Sequence, residues 1–258
     1  MRARAIAPVG LAAAPAVTAI CWALCVWEAR RARAGDRPFG VALPGSGLVS
    51  QGLGDKPVRI AWLGDSLAAG LGCDHLDETP AHLTARLLER SVEVQMLAVP
   101  GSRAIQVLDE QLPQVDRGAT DLVVLCVGAN DVAAPTPRCL YAEQLDAILH
   151  ELAPLPTVVL TLPDMSMPDR LAEPLRSLAG ARARWFEAAR ARITAGHRHA
   201  VSVDIASRPA GVTRRAGRRM LCADRFHPGP EGYRVWAERI ATVCHQMLES
   251  APAPTLVD

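Results

Sequence analysis

The sequence predicts an α/β protein in which a doubly wound, parallel sheet of about five strands lies between helices in a three-layer αβα arrangement. Short apolar runs alternate with longer amphipathic runs from residue 58 to residue 250, and this alternation is typical of repeated βαβ units. The apolar runs contain few polar residues, as expected for parallel strands that are covered on both faces. We therefore expect a flavodoxin-like sheet, preceded by an apolar N-terminal helix.

Five apolar segments are predicted as strands, and several of them end at a turn that contains glycine. Residues 121–127, with the sequence DLVVLCV, form the most strand-like segment, because apolar and β-branched residues favour strands. The predicted strands are 58–63, 92–99, 121–127, 157–162 and 201–205.

Five amphipathic segments are predicted as helices because apolar residues recur in them every three or four positions. In the second of these helices, Ile105, Leu108 and Leu112 form the expected apolar face. Pro174 and Gly180 predict a break inside the fourth, since neither residue favours a helix interior. The predicted helices are 79–90, 104–112, 140–152, 170–194 and 231–248.

Residues 5–27 form an uncharged run with the sequence AIAPVGLAAAPAVTAICWALCVW, which is long enough to cross a bilayer as a helix. Arginines flank both ends of the run, so the segment 1–33 is predicted to be a signal-anchor that holds the rest of the chain outside the cytoplasm. Because the positive charge is similar on both sides, the positive-inside rule does not decide the orientation. Secretion after cleavage of a signal peptide and a cytoplasm-facing domain remain alternatives.

The rest of the chain divides into three parts by composition. Residues 34–57 are rich in Gly and Pro and show no steady period, so they are predicted to be a linker. Residues 58–250 are long enough for one α/β domain. Residues 251–258 are predicted to be a tail.

Charge and cysteine content exclude several classes of partner. The formal net charge of the 258-residue chain is +1, whereas nucleic-acid-binding domains usually carry a clear basic excess. The seven cysteines cannot all pair within one chain, and no CxxC or Cys/His ligand spacing is present. We therefore expect no nucleic acid, no metal and no cofactor, and the sequence leaves the oligomeric state open.

Polar turns that follow three of the predicted strands point to one functional site. They are Gly64-Asp65-Ser66, Pro100-Gly101-Ser102 and Gly128-Ala129-Asn130-Asp131. Ligands of open parallel sheets bind at the carboxyl ends of the strands. The three turns are therefore expected to converge at one edge of the sheet.

Ser66, Asp224 and His227 are the candidates for nucleophilic catalysis. A serine needs a neighbouring base to accept its proton and a further group to orient that base. Ser66 follows a buried strand, and Asp224 and His227 lie three residues apart just before the last helix. Ser66 alone is equally well explained as the N-cap of a helix beginning at residues 67–70. The nearby acid and histidine favour the nucleophile.

Four sequence blocks resemble those of the GDSL/SGNH hydrolase family, and the resemblance extends from about Val58 to the terminal helix. The blocks occur in the family's order and each stands beside a predicted strand or helix. They are Gly64-Asp65-Ser66-Leu67, the block with Gly101, Gly128-Ala129-Asn130-Asp131, and Asp224-x-x-His227. A lone GDS tripeptide would be weak evidence, but four ordered blocks are a specific signal.

The resemblance implies a GDSL/SGNH esterase or lipase with Ser66 as nucleophile, His227 as base and Asp224 as acid. It implies an oxyanion hole formed by the Ser66 and Gly101 amides and the Asn130 side chain. Substrates of this family include acyl and acetyl esters of lipids, envelope glycans and small molecules. An O-acyltransferase and a non-catalytic lipid- or glycan-binding module remain alternatives. The residues expected to support the turns are Gly64, Asp65, Gly128 and Asp131.

Overall fold

The computed structural model describes residues 27, 42–49, 56–207, 217 and 219–250. The predicted anchor 5–27, except Trp27, and the tail 251–258 lie outside the described residues. Within the described part of the chain, no helix is both long enough and apolar enough to cross a membrane.

Among the described residues, six strands form one mixed sheet. They are β1 (Gly47–Val49), β2 (Val58–Gly64), β3 (Val92–Met96), β4 (Leu122–Cys126), β5 (Thr157–Leu160) and β6 (Ala200–Val203). Their order in the sheet is β1-β3-β2-β4-β5-β6. Strands β2 to β6 are parallel to one another, and β1 is antiparallel to β3. The five parallel strands therefore have the flavodoxin-like order 2-1-3-4-5, as expected from the sequence.

Strand β1 corrects part of the linker prediction. Gly47–Val49 lies inside the segment 34–57, yet it pairs with β3 over three residues, from Gly47 opposite Val94 to Val49 opposite Val92. The pairing is reinforced by Ser46, whose hydroxyl accepts a hydrogen bond from the Met96 amide at 2.9 Å. A three-residue strand is too short to produce a recognisable period, so composition alone pointed to a linker.

Within the described residues, six helices accompany the strands, five of them between strands and the sixth after β6. They are α1 (Pro80–Leu87), α2 (Ala104–Gln106), α3 (Ala129–Ala133), α4 (Arg138–Leu152), α5 (Leu175–Ala195) and α6 (Pro230–Ser250). The segment 104–114 is helical throughout but irregular, since α2 continues as a π turn, Val107–Gln111, and a 3-10 turn, Leu112–Gln114. A further 3-10 turn, Leu76–Glu78, precedes α1.

Helices cover both faces of the sheet and give the three predicted layers. Along β2, Ile60 and Trp62 belong to one apolar cluster, which includes residues of α1 and α6. Ala61 and Leu63 belong to the opposite cluster, which includes residues of α2, α4 and α5. Alternation of side chains along a strand produces this division. The carboxyl ends of the parallel strands are the expected place for a site in such a sheet.

Two of the predicted helices differ in detail from the sequence expectation. In the segment 104–114, the buried residues include Ala104, Val107 and Gln111, whereas Ile105 and Leu108 are only partly buried. The predicted apolar face was therefore wrong in part, because a polar glutamine occupies a buried position.

The expected break at Gly180 is also wrong, because α5 runs through this residue without interruption. A Cβ at Gly180 would lie 2.7 Å from the Cβ of Ser166. The glycine therefore permits close packing rather than ending the helix. Pro174 does mark a boundary, since α5 begins at the next residue.

Candidate active site

The turn at the end of β2 presents Ser66 at the carboxyl edge of the sheet. Gly64 has a φ of 139°, and a Cβ at this position would overlap the carbonyl oxygen of Cys126. The Asp65 amide then donates to that same carbonyl at 3.1 Å. Glycine is required here because a side chain would push β2 away from β4, and Ser66 follows directly.

Segment 67–72 is a series of turns rather than the helix expected after Ser66. The Ala69 amide donates to the Asp65 carbonyl at 3.0 Å, and the Leu71 amide donates to the Ser66 carbonyl at 2.9 Å. Gly70, with a φ of 73°, takes a left-handed conformation that interrupts a helix. The interpretation of Ser66 as a helix N-cap is therefore wrong.

Ser66, His227 and Asp224 form a continuous hydrogen-bonded chain. The Ser66 hydroxyl lies 2.9 Å from Nε2 of His227, and Nδ1 of His227 lies 2.6 Å from Oδ2 of Asp224. A proton on Nδ1, donated to the carboxylate, leaves Nε2 free to accept the serine proton. The His227 and Asp224 residues are only 4% and 5% exposed, so water competes little for these contacts.

The loop that precedes α6 holds the acid and the base together. Oδ1 of Asp224 accepts hydrogen bonds from the amides of Phe226 at 2.7 Å and His227 at 2.9 Å. The loop is closed by the Cys222 amide, which donates to the His227 carbonyl at 2.8 Å. The three-residue spacing seen in the sequence thus corresponds to a carboxylate that both caps the turn and orients the imidazole.

The Asp224 carboxyl group has a pKa below its ordinary value. Burial opposes ionisation, but hydrogen bonds from the side chains of His227 and Cys222 and from two backbone amides outweigh it. Hydrogen bonds to the charged form stabilise that form. Asp224 is therefore ionised at neutral pH and suited to stabilise a protonated His227.

Three potential oxyanion donors lie beside the nucleophile. The amides of Ser66 and Gly101 have no hydrogen-bond partner among the described residues. Gly101 lies in a left-handed conformation, with a φ of 86°. Nδ2 of Asn130 lies 3.0 Å from the Ser102 carbonyl and 3.4 Å from Oδ2 of Asp65. The three predicted turns therefore meet at one edge of the sheet.

Asp65 is buried directly beside the nucleophile, with 1% of its surface exposed. Oδ1 accepts a hydrogen bond from the Leu67 amide at 2.9 Å. Burial raises the pKa of Asp65 to about 7, the Leu67 amide opposes this, and the nearby Asp131 adds to it. Asp65 braces the turn as expected, but its carboxylate is far less stabilised than that of Asp224.

Asp131 and Gly128 support the third turn. Oδ2 of Asp131 accepts a hydrogen bond from the Ala104 amide at 3.0 Å, which ties α3 to the start of α2. Burial raises the pKa of Asp131, and the Ala104 amide opposes the shift. Gly128 has a φ of 126°, and a Cβ there would lie 2.6 Å from the Leu162 side chain.

Gln111 also contacts the site, although no sequence pattern pointed to it. Its side chain is buried and hydrogen-bonds both the amide and the carbonyl of Gly64 at 2.8 Å. Hydrophobic periodicity cannot identify such a residue, because a polar residue in a helix normally has a solvent-facing side chain.

A cavity of 910 Å³ lies away from these residues. It is lined by residues that include Val58 at the start of β2, Ser91 just before β3, and Glu238 and His245 of α6. Val58 and Ser91 are at the amino ends of their strands, whereas Ser66 is at the carboxyl end of β2. The cavity is therefore not the candidate site. Among the described residues, no group of three or more His, Cys, Asp or Glu side chains is placed to hold a metal ion.

Sequence comparisons relate this chain to GDSL-like proteins. Residues 62–235 match the model of the GDSL-like Lipase/Acylhydrolase family. The GDSL-like esterase Rv1075c of Mycobacterium tuberculosis is 30% identical to this chain over 214 residues, which cover 78% of this chain and 67% of the relative. The region 62–235 that matches the family model includes the three strand-end turns and the loop with Asp224 and His227.

Solved structures with the same fold include a phospholipase and an esterase. Phospholipase A1 from Streptomyces albidoflavus has a TM-score of 0.56 at 17% identity, over 74% of this chain and 100% of that chain. The psychrotrophic esterase EstA from Pseudoalteromonas sp. has a TM-score of 0.56 at 16% identity, over 74% of this chain and 99% of that chain. At these identities the likeness concerns the fold.

Proposed function

The chain belongs to the GDSL-like lipase/acylhydrolase family of carboxylic ester hydrolases, and we propose that it acts through an acyl-enzyme formed on Ser66. The observation that supports this mechanism is the unbroken chain from Asp224 Oδ2 to His227 Nδ1 at 2.6 Å and from His227 Nε2 to Ser66 Oγ at 2.9 Å. Both distances lie within the range of good hydrogen bonds. Such a series of hydrogen bonds activates a serine for nucleophilic attack.

Acylation begins when Ser66 Oγ attacks the ester carbonyl carbon and His227 Nε2 accepts the hydroxyl proton. The carboxylate of Asp224 stabilises the resulting imidazolium. The tetrahedral oxyanion accepts hydrogen bonds from the amides of Ser66 and Gly101 and from Asn130 Nδ2. Collapse of this intermediate breaks the ester bond, and His227 gives its proton to the leaving alcohol.

Deacylation repeats these steps with water as the nucleophile. His227 accepts a proton from water as the water oxygen attacks the acyl-enzyme. The same donors stabilise the second oxyanion. Collapse of this intermediate breaks the bond between Ser66 Oγ and the acyl carbon, and His227 gives its proton to Oγ. Release of the carboxylic acid then leaves the Ser66 hydroxyl restored, and the side chains and backbone amides already described account for each proton transfer.

We propose acyl or acetyl esters of lipids, envelope glycans or small molecules as the substrates. The GDSL-like esterase of Mycobacterium tuberculosis supports an ester substrate, and the lipase and acylhydrolase activities named for the matching family support an acyl ester, including a lipid ester. A sugar acetate or a small alcohol ester fits the same reaction, so the proposed class includes these esters as well.

The location that we propose is the extracytoplasmic membrane surface, with residues 5–27 as the anchor. The support is the length of the uncharged run and the arginines at both of its ends. The full chain is expected in the membrane fraction after a high-salt wash, and a chain without residues 1–33 in the supernatant. A salt-washed full chain in the supernatant would contradict the anchor.

The catalytic proposal is tested by hydrolysis of p-nitrophenyl esters from acetate to long acyl chains. The full chain is compared with Ser66→Ala and His227→Ala, and with Ser207→Ala as a control at an exposed serine of the same domain. Turnover that the first two substitutions abolish and the third preserves supports the mechanism. Equal background rates in all four proteins would contradict it. Product that forms only when an acceptor alcohol is added would indicate acyl transfer instead of hydrolysis.

A further inference from the structure

The side chain of Gln111 occupies an enclosed position between two parts of the active site. Gln111 is 1% exposed, and the hydrogen bonds of its side chain are all made to active-site turns. Oε1 accepts from the Gly64 amide at 2.8 Å, and Nε2 donates to the Gly64 carbonyl at 2.8 Å and to Ser102 Oγ at 3.1 Å. An amide buried without partners would cost free energy, so these bonds account for its presence among apolar neighbours.

Gln111 supplies a partner for the Gly64 amide at the end of β2. The chain beyond β3 still bonds to β2, since the Leu97 amide donates to the Trp62 carbonyl at 2.9 Å and the Val99 amide donates to the Gly64 carbonyl at 3.1 Å. The Gly64 amide donates to Oε1 of Gln111, and the Gly64 carbonyl accepts from both the Val99 amide and Nε2 of Gln111. The Gln111 side chain therefore reinforces the end of β2 from a third segment of the chain.

The same side chain is linked to the other oxyanion donors. Ser102, whose hydroxyl accepts from Gln111 Nε2, directly follows Gly101. The carbonyl of Ser102 accepts a hydrogen bond from Asn130 Nδ2 at 3.0 Å. One buried glutamine thus connects the residue two positions before Ser66 with the Gly101 turn and, through Ser102, with Asn130.

We propose that Gln111 is a positioning residue that fixes the three oxyanion donors relative to one another. The proposal rests on the proposed acyl-enzyme mechanism, since it assigns the donors the role of stabilising the tetrahedral intermediate. The hydrogen bonds of the Gln111 side chain go to Gly64 and Ser102, and none of them goes to the Ser66 hydroxyl or to His227. It acts by holding the backbone of Gly64 and Ser102, and through them the amides of Ser66 and Gly101.

The expected effect is on turnover rather than on substrate binding. Displacement of a catalytic group by about 1 Å can lower a rate by roughly a hundredfold. Replacement of Gln111 by an apolar side chain leaves the Gly64 amide without its partner. We therefore expect kcat to fall by roughly 10- to 100-fold, with KM within about threefold of the original value because substrate binding does not involve Gln111.

Three variants of the full chain test this role. Gln111→Met keeps the length and approximate volume of the side chain but removes both polar groups. Gln111→Glu retains the shape and can donate a hydrogen bond only when its carboxyl group is protonated. Gln114→Met is the matched control, because Gln114 lies three residues further on and is exposed. For each protein, kcat and KM are measured per active site, counted by stoichiometric labelling with a fluorophosphonate.

A lower kcat with an unchanged KM in Gln111→Met, beside an unaltered Gln114→Met, supports the proposal. In Gln111→Glu, the ratio of its kcat to that of the original enzyme is expected to increase as pH falls, because protonation restores a donor. A change in folding alone alters the number of labelled sites but not kcat per site, nor would it produce this pH dependence.

Gln111→Met with the original kcat per site would overturn the proposal. If Gln111→Met does not fold, the pH dependence of Gln111→Glu decides, and a ratio that stays constant with pH overturns the role. If the original enzyme neither hydrolyses esters nor reacts with the fluorophosphonate, the proposed function fails, and the role of Gln111 fails with it. Hydrolysis by the original enzyme with no effect at Gln111 refutes only the positioning role.

Discussion

The strand-end turn 64–66 and the loop 224–227 both bury an aspartate beside the reacting serine, but the two carboxyl groups differ in charge. The Asp224 carboxylate accepts hydrogen bonds from its own turn and from His227, and its pKa lies below the ordinary value. Asp65 accepts one amide hydrogen bond and lies 3.4 Å from Asn130 Nδ2, and burial raises its pKa to about 7.

The difference teaches that burial does not by itself decide whether a carboxyl group is charged. Both residues are at most 5% exposed, so both carboxylates lose most of their hydration. What differs is the number of donors directed at the charged form. The loop therefore supplies a permanent negative charge to the imidazole, while the turn holds a carboxyl group that titrates near neutrality.

The largest loss of activity is expected when the negative charge of Asp224 is removed from the loop 224–227. Asp224→Asn retains the shape but cannot stabilise the imidazolium or impose the same tautomer on His227, so kcat is expected to fall by about 10³- to 10⁴-fold. The measurement is steady-state hydrolysis of a p-nitrophenyl ester. Asp204→Asn is the matched control, because Asp204 also accepts two backbone amides of its own turn but lies outside the triad. Equal losses in the two variants would indicate a general loss of structure.

A smaller loss of activity is expected when Asn130, the oxyanion donor that contacts Asp65, loses its side-chain amide. Asn130→Ala removes one donor to the tetrahedral intermediate, and kcat is expected to fall by about 10²- to 10³-fold. KM should change little, since this interaction strengthens only in the transition state. An Asn130→Ala enzyme with raised KM and an unchanged kcat would show that Asn130 binds the substrate rather than the oxyanion.

The third prediction concerns the pH dependence of stability at Asp65. Because its pKa is raised to about 7 from an ordinary value of 3.8, the folded protein binds more protons than the unfolded chain between these pH values. The contribution of Asp65 to the free energy of unfolding therefore decreases as pH rises from about 4 to 7. Asp65→Asn should consequently gain stability relative to the original protein over that interval, as measured by urea unfolding at several pH values. A difference that is constant with pH would contradict the raised pKa.

The contribution of Asp224 to the free energy of unfolding is expected to change with pH in the opposite direction to that of Asp65, and by less over the accessible pH range. Its lowered pKa means that the ionised carboxylate stabilises the fold above the ordinary pKa of 3.8, and that this stabilisation is lost as pH falls towards the lower folded value. Asp224→Asn should therefore be less stable than the original protein at neutral pH, with a difference that shrinks below about pH 4. Urea unfolding of Asp224→Asn across this range provides the test, and a difference that grows with acidity would contradict it.

Much of the fold and the candidate triad could be predicted because the signals were local. The parallel strands are continuous apolar runs, and Ser66, Asp224 and His227 lie in short blocks with a fixed spacing. The structure brings all three together, along with Gly101 and Asn130.

The remaining features depend on contacts between distant parts of the chain. Gln111 lies 47 residues from Gly64, and only the packed helix shows that its amide is buried. Strand β1 depends on pairing with β3 and has no period of its own. Gly180 could be interpreted as a helix break because its close neighbour, Ser166, lies in a different segment.

The most direct test of the central claim is the site of reaction with a fluorophosphonate, located by peptide mass spectrometry of the full chain. The account predicts one adduct, on the oxygen of Ser66, that is absent in Ser66→Ala and forms much more slowly in His227→Ala. An adduct that persists in Ser66→Ala, or a protein that does not react at all, would contradict the assignment of Ser66 as a nucleophile activated by His227 and Asp224.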